Sequence, residues 1–198
     1  MILFFDTETT GVIPRGLEHS PLNYAQRYPR IVQLSWQVCD GKKVKEGDFI
    51  IRPDGFTIPD EAAAVHGITT ERAIAEGVEY KTAFLQFFND LKNADEICAH
   101  NANFDQGVLI AEYVRMTDRA RAAKFAMFIK NITLHDTMIL TKDYVGARFS
   151  NGNPGKFPRL EELYAKLFNG ESFPAHNSME DVRALAKCFW ECRNRGFI

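Results

Sequence analysis

The sequence predicts an α/β fold: a mixed sheet, opened by a three-strand antiparallel meander and completed by parallel strands, with helices on its faces. Three observations carry this. Strand-like runs crowd the first 52 residues, helical periodicity alternates with short apolar strands after residue 60, and Asp40-Gly41 offers a hairpin turn between the second and third strands. The 198 residues are 45% hydrophobic and 25% charged, which excludes a disordered or fibrous chain. They are expected to form one domain over 1–198, large enough for a core without disulfides.

The elements follow in order. Ile2–Asp6 is a short apolar run, the pattern of a buried strand. Residues 12–30 hold Pro14, Gly16, Pro21 and Pro29 and read as irregular. Ile31–Cys39 and Val44–Arg52 are the next strands. Asp60–His66 reads as a short helix stopped by Gly67; Thr69 or Thr70 caps the next, which Gly77 ends. Tyr80–Leu91 places Phe84, Leu85, Phe87, Phe88 and Leu91 at helical spacing. Glu96–Ala99 is a strand, Ala102–Arg119 a helix, Ile132–His135 a strand and Thr137–Tyr144 a helix. Gly146–Pro158, with three glycines and two prolines, is a loop, and Leu160–Phe168 and Ser178–Arg193 are the last helices.

Composition narrows the function. A net charge of −2 gives no global basic surplus, so nucleic-acid contact needs a local patch. No apolar run is long enough to span a membrane, and the amino terminus lacks the basic start of a signal peptide, so a cytoplasmic protein is expected. Cys39, Cys98, Cys188 and Cys192 sit in apolar stretches and read as reduced and packed. Cys188 and Cys192 have the helical spacing of a zinc pair, but no further ligands are in view.

Three acidic segments stand out. The first strand runs into Asp6-Thr7-Glu8-Thr9-Thr10-Gly11, and strand alternation puts Asp6 and Glu8 on one face. Two adjacent carboxylates repel, and a hard cation relieves them; the alternative is a solvated strand end. Thr9, Thr10 and Gly11 offer small side chains and N–H groups to a phosphate or ribose. In His100-Asn101-Ala102-Asn103-Phe104-Asp105, Asp105 falls in the first turn of a helix, where dipole complementarity also accounts for an acid. Asn101 is a candidate substrate contact there, and Asn101 or Asn103 alternatively caps the helix. In His176-Asn177-Ser178-Met179-Glu180-Asp181, Asp181 lines up with the apolar stripe Ala184, Leu185, Cys188 and Phe189, a costly place for an unpaired acid. His176 lies in the loop feeding that helix. Asp136, after another strand end, reads as a helix cap.

The order Asp-x-Glu, Asp, His-x4-Asp resembles the DEDDh (DnaQ-like) family of 3′–5′ exonucleases, over nearly the whole chain from Ile2 to about Arg193. Four residues between His176 and Asp181 fit the histidine branch. The resemblance implies a ribonuclease H-like sheet and a single exonuclease domain. It implies that Asp6, Glu8, Asp105 and Asp181 hold two Mg²⁺ or Mn²⁺ ions, about 3.5–4 Å apart in two-metal nucleases, with His176 as general base. The product is a nucleoside 5′-monophosphate released from the 3′ end of single-stranded DNA, in proofreading or repair. Two other readings remain open: an exoribonuclease trimming RNA ends, and a non-catalytic module that binds nucleic-acid ends. Val65-His66-Gly67-Ile68-Thr69 resembles a family segment in which a Glu and a His contact the terminal nucleotide; Glu61 and His66 match that spacing, or are a helix-start acid and a helix-end histidine.

Charge patterning permits such a substrate. Arg115, Arg119, Arg121, Lys124 and Lys130 face only Asp118, and Lys142, Arg148, Lys156 and Arg159 only Asp143, with Phe149 and Phe157 interleaved. Singly, each basic residue is also an ordinary solvated side chain. Nineteen residues separate Gly11 from Ile31, longer than in compact members, and are expected to form a lid or substrate wall. The polymerase tail and clamp motif of replicative proofreading subunits are not visible, so a DNA polymerase partner is open.

Overall fold

The computed structural model describes residues 1–40 and 43–198. The chain runs β1 (Ile2–Thr9), α1 (Pro21–Tyr24), a 3-10 turn (Ala25–Arg27), β2 (Ile31–Cys39) and β3 (Val44–Ile50). Helices α2 (Asp60–His66), α3 (Thr70–Glu76) and α4 (Tyr80–Leu91) follow, then β4 (Glu96–Ala99), α5 (Ala102–Met116) and α6 (Arg119–Lys130). The remainder is β5 (Thr133–Asp136), α7 (Thr137–Leu140), α8 (Lys142–Val145), α9 (Leu160–Leu167) and α10 (Ser178–Asn194).

One five-stranded sheet has the order β3-β2-β1-β4-β5. β2 is antiparallel to both β1 and β3, while β4 and β5 run parallel to β1 and to one another. This is the expected mixed sheet, with its meander at one edge, in the ribonuclease H-like arrangement. The hairpin turn read at Asp40-Gly41 falls on Gly41, outside the described residues.

β1 is central and buried on both faces, which its run Ile2-Leu3-Phe4-Phe5 permits. Leu3 and Phe5 belong to a core with α4 and α5, where Phe5 meets Phe87 at 5.8 Å between ring centroids. Ile2 and Phe4 belong to a second core with α9 and α10, where Phe4 meets Phe189 edge-on at 5.3 Å. Burying each such ring contributes about 1.5–3 kcal/mol. On β2, Trp36 lies over Gly47 of β3, where an added Cβ would sit inside the indole.

Most helix boundaries follow their local signals. Gly67 adopts φ 72° and ends α2, and the Thr69 side chain accepts from Arg72 N to start α3. Asp136 caps α7 by accepting from Met138 N, and it also accepts from Asn101 N and Ala102 N, so one carboxylate ties the β4–α5 turn to the end of β5. That removes the expected capping role of the asparagines: Asn101 has φ 76° and makes no side-chain cap bond. α5 ends at Met116, short of Arg119, because Thr117 leaves helical geometry and Asp118 starts α6 by accepting from Arg121 N. The span read as Thr137–Tyr144 is broken at Thr141 into α7 and α8.

The 12–30 segment, read as irregular, contains α1 and the 3-10 turn and is tied to α5. Arg115 donates to the carbonyls of Ala25, Tyr28 and Pro29, and the Tyr28 hydroxyl donates to the Leu17 carbonyl. Gly107 makes room for this packing: a Cβ there would lie 3.2 Å from the Tyr28 ring. The 146–158 loop is held at its end by His100, whose ring bonds the Pro158 carbonyl at 2.9 Å and the Thr137 hydroxyl at 2.9 Å. Cys98, Cys188 and Cys192 are free and buried; Cys188 and Cys192 are in no metal-ligand group among the described residues. No described helix is long and apolar enough to cross a membrane.

Candidate active site

Strand parity builds the site. Asp6 and Glu8 continue the face of Phe4, toward α10, while Thr7 continues the face of Phe5, toward α5. Asp181 lies in the first turn of α10, which begins beside β1 because Ser178 is buried and donates to the Asp6 carbonyl at 3.0 Å. The Asn177 side chain caps this helix by accepting from Glu180 N. One oxygen each of Asp6, Glu8 and Asp181 lie within 4.8 Å of one another.

These acids hold their protons tightly. Burial lifts Asp6 to about 6. Burial and then the Asp6 charge lift Glu8 to about 7. Asp181 rises to about 8 through burial, then Asp6, Glu8 and Glu161. Low dielectric and like charge thus act together.

Asp105 arrives from the opposite layer. It is 3% exposed and accepts from Thr7 N at 3.0 Å and from the Thr7 hydroxyl at 2.8 Å. Burial and the nearby Asp6 push its carboxyl well above the usual range. It adjoins the three-acid group without belonging to it. Three of the four expected acids therefore meet at the end of β1, with Asp105 on the Thr7 side of the strand.

His176 reaches the group through its main chain: its N–H donates to Asp181 Oδ2 at 3.1 Å, from a backbone with φ 66°. Its ring, 57% exposed, stands at the rim with Nε2 3.7 Å from Glu161 Oε1. Glu161 is a residue that sequence reasoning missed. It looks like one of two ordinary acids opening α9, and fifteen positions separate it from His176.

The expected substrate contacts are scattered around this end of the sheet. The Thr9 hydroxyl donates to the Gly11 carbonyl at 2.7 Å, and Thr10 exchanges bonds with the Arg30 main chain. These threonines shape the strand end, so their side chains are already engaged. His66 is buried, its Nδ1 accepts from Ile68 N, and its Nε2 has no hydrogen-bond partner among the described residues. Burial lowers its proton affinity, with the Thr9 main chain partly opposing. Glu61 and Asn101 are exposed. A cleft of about 650 Å³ lies elsewhere, lined by residues including Arg30, Tyr80, Glu112 and Arg115; none of the four acids lines it.

An all-oxygen donor set, half-buried, suits a hard divalent cation better than a soft one. The fold is shared with exonucleases of known structure. The sequence profile of the exonuclease family RNase_T matches residues 3–189, and the chain belongs to that family. It is 28% identical over 188 residues to the DNA polymerase III subunit epsilon of Haemophilus influenzae, covering 94% of this chain and 65% of that protein. It is 30% identical over 118 residues to the epsilon subunit of Buchnera aphidicola, covering 60% of this chain and 47% of that one. The crystal structure of E. coli exonuclease I with a dA16 oligonucleotide superposes with TM-score 0.69 at 23% identity, covering 98% of this chain and 41% of that chain. Exonuclease I from Methylocaldum szegediense gives TM-score 0.70 at 18% identity, covering 98% and 40%. The chain thus spans less than two thirds of the length of each of these relatives.

Proposed function

We propose that the chain is a metal-dependent 3′–5′ exonuclease that releases nucleoside 5′-monophosphates from single-stranded DNA. The observation that carries this is the convergence of Asp6, Glu8 and Asp181 within 4.8 Å, with Asp105 behind Thr7, all with raised proton affinity. Crowded carboxylates repel a phosphodiester, and a bound divalent cation offsets their charge and favours their ionised form. Asp6, Glu8, Asp105 and Asp181 are the residues that would hold Mg²⁺ or Mn²⁺. When bound, such ions acidify a water and neutralise charge on the phosphate and the departing 3′-oxygen.

The chain's own groups do the rest. His176 accepts the proton of the attacking water at a ring nitrogen. Its rim position fits a base that meets water on the open side of the site. Glu61, His66 and Asn101 are candidates to orient the terminal nucleotide. Thr9 and Thr10 support it through the backbone they fix. DNA is favoured over RNA by the relatives, which are named as DNA polymerase III subunits or were crystallised with DNA. The same names support a role in proofreading beside a polymerase.

The experiment is a digestion of 3′-labelled and 5′-labelled single-stranded DNA and RNA of one sequence, with Mn²⁺ or Mg²⁺ and with EDTA. Metal-dependent release of the 3′ label as a mononucleotide, with DNA consumed faster, is expected. Cleavage from the 5′ end, or activity undiminished by EDTA, would overturn the reading. Faster consumption of RNA would turn it to RNA trimming.

A further inference from the structure

We infer that Glu161 is a positioning residue for His176, fixing which ring nitrogen faces the water. The inference rests on the reading of His176 as general base. α9 opens with two acids that have different work. Glu162 closes the helix start: it accepts from Arg159 N at 2.7 Å and pairs with Lys156 at 2.7 Å. Glu161 takes no part in that cap. Its Oε1 lies 3.7 Å from His176 Nε2, and it is half-buried at 32% exposure. Leu160 and Leu163, on either side, are anchored in the α9–α10 core, so the Glu161 backbone is held firmly opposite the 171–177 segment.

Two points then define the imidazole. The main-chain N–H of His176 is pinned by Asp181 Oδ2 at 3.1 Å, in a left-handed conformation uncommon for a residue with a side chain. The ring's Nε2 edge faces the Glu161 carboxylate. A carboxylate beside one ring nitrogen favours the proton there, which leaves the lone pair on the other. Nδ1 is thus the atom that accepts the proton from water. A 3.7 Å separation is longer than a hydrogen bond, and catalytic contacts commonly tighten when substrate binds.

A structural explanation for Glu161 is weak, since Glu162 already serves the helix end. Glu161 is outside the three carboxylates within 4.8 Å of one another. A further negative charge beside crowded acids is unfavourable unless it has a cationic or proton-holding partner, and His176 is that partner.

The test is a kinetic cycle on a 5′-labelled single-stranded DNA with saturating Mn²⁺. It uses the intact protein, E161A, E161D, H176A and the double variant, with Mn²⁺ affinity measured separately by calorimetry. E161A is expected to lower kcat about 10–100-fold, the usual effect of losing an orienting partner. KM and Mn²⁺ affinity stay unchanged, and E161D recovers part of the rate. In the H176A background, E161A changes nothing further. An additional loss in the double variant, a drop in Mn²⁺ affinity, or wild-type kcat in a folded E161A would each overturn the inference. H176A at full rate would instead remove His176 as the base, and with it the premise, whatever Glu161 does.

Discussion

Two acidic regions of this chain sit on opposite layers of the sheet and are treated in opposite ways. On the α5 side, Glu112 is 3% exposed and fully served: Arg30 Nε lies at 2.6 Å, Arg115 Nη1 at 3.0 Å, and Ile31 N donates at 3.2 Å. Asp90, also buried, has the Trp36 indole N–H at 2.8 Å and Lys45 at 2.5 Å. On the α10 side, Asp6, Glu8 and Asp181 face chiefly one another. Glu112 and Asp90 are buried and the β1 acids half-buried; what differs most is whether the protein itself supplies the compensating charge. Glu112 is part of a lock, with its cations built in. Among the described residues no cation is bonded to the β1 acids, and the proposed metal would supply that charge.

Breaking the contrast gives its largest effect at the site. Asp6→Ala or Asp181→Ala is expected to drop exonuclease activity to background while circular dichroism shows an intact fold; near-wild-type label release would remove the acids from the chemistry. His176→Ala is expected to lower the rate about 10²–10⁴-fold, as loss of a general base does, with Mn²⁺ affinity intact by calorimetry. At the lock the cost falls on folding. Glu112→Ala strands two guanidiniums and is expected to destabilise the chain by about 3–5 kcal/mol in urea unfolding. Neutralising Asp181 as Asn should do the reverse in EDTA at pH 8, raising the melting temperature by about 2–4 °C per kcal/mol of relieved repulsion.

The same contrast sharpens with pH. Asp6, Glu8 and Asp181 titrate at about 6, 7 and 8 in the folded chain, above their ordinary values. The unfolded chain therefore releases these protons first as pH rises. The stability they confer is full below about pH 4 and is lost between about pH 4 and pH 8. Melting temperature in EDTA should fall across that interval, and saturating Mn²⁺ should restore most at the alkaline end. A rise with pH in EDTA would contradict the crowded-acid picture.

Much of this was legible in the sequence because it rests on short-range rules. The apolar run of β1, its Asp-x-Glu parity, the Gly67 stop and the Asp136 cap are all local, and each lies where its neighbours dictate. Other features depend on distant partners. Helix α6 was read only as a basic stretch, although Asp118 is an N-cap signal two residues past the end of α5. Parity also implied that Thr7 faces away from Asp6, but only the packing of α5 shows that Asp105 enters from that side. The Glu161–His176 pair required the docking of α9 against the 171–177 segment, which no spacing rule encodes. The short helix and turn within 12–30 were hidden by prolines that ordinarily signal irregular chain.

The binding of 12–30 to α5 bears on the kinetics of substrate capture. Arg115 gathers three carbonyls of this segment, and the Tyr28 hydroxyl closes it on Leu17. Its conformational entropy is thus surrendered during folding and not when a strand arrives. Association with a nucleic-acid end should then run as an encounter with a finished surface, governed by diffusion and ionic strength, without a slow ordering phase.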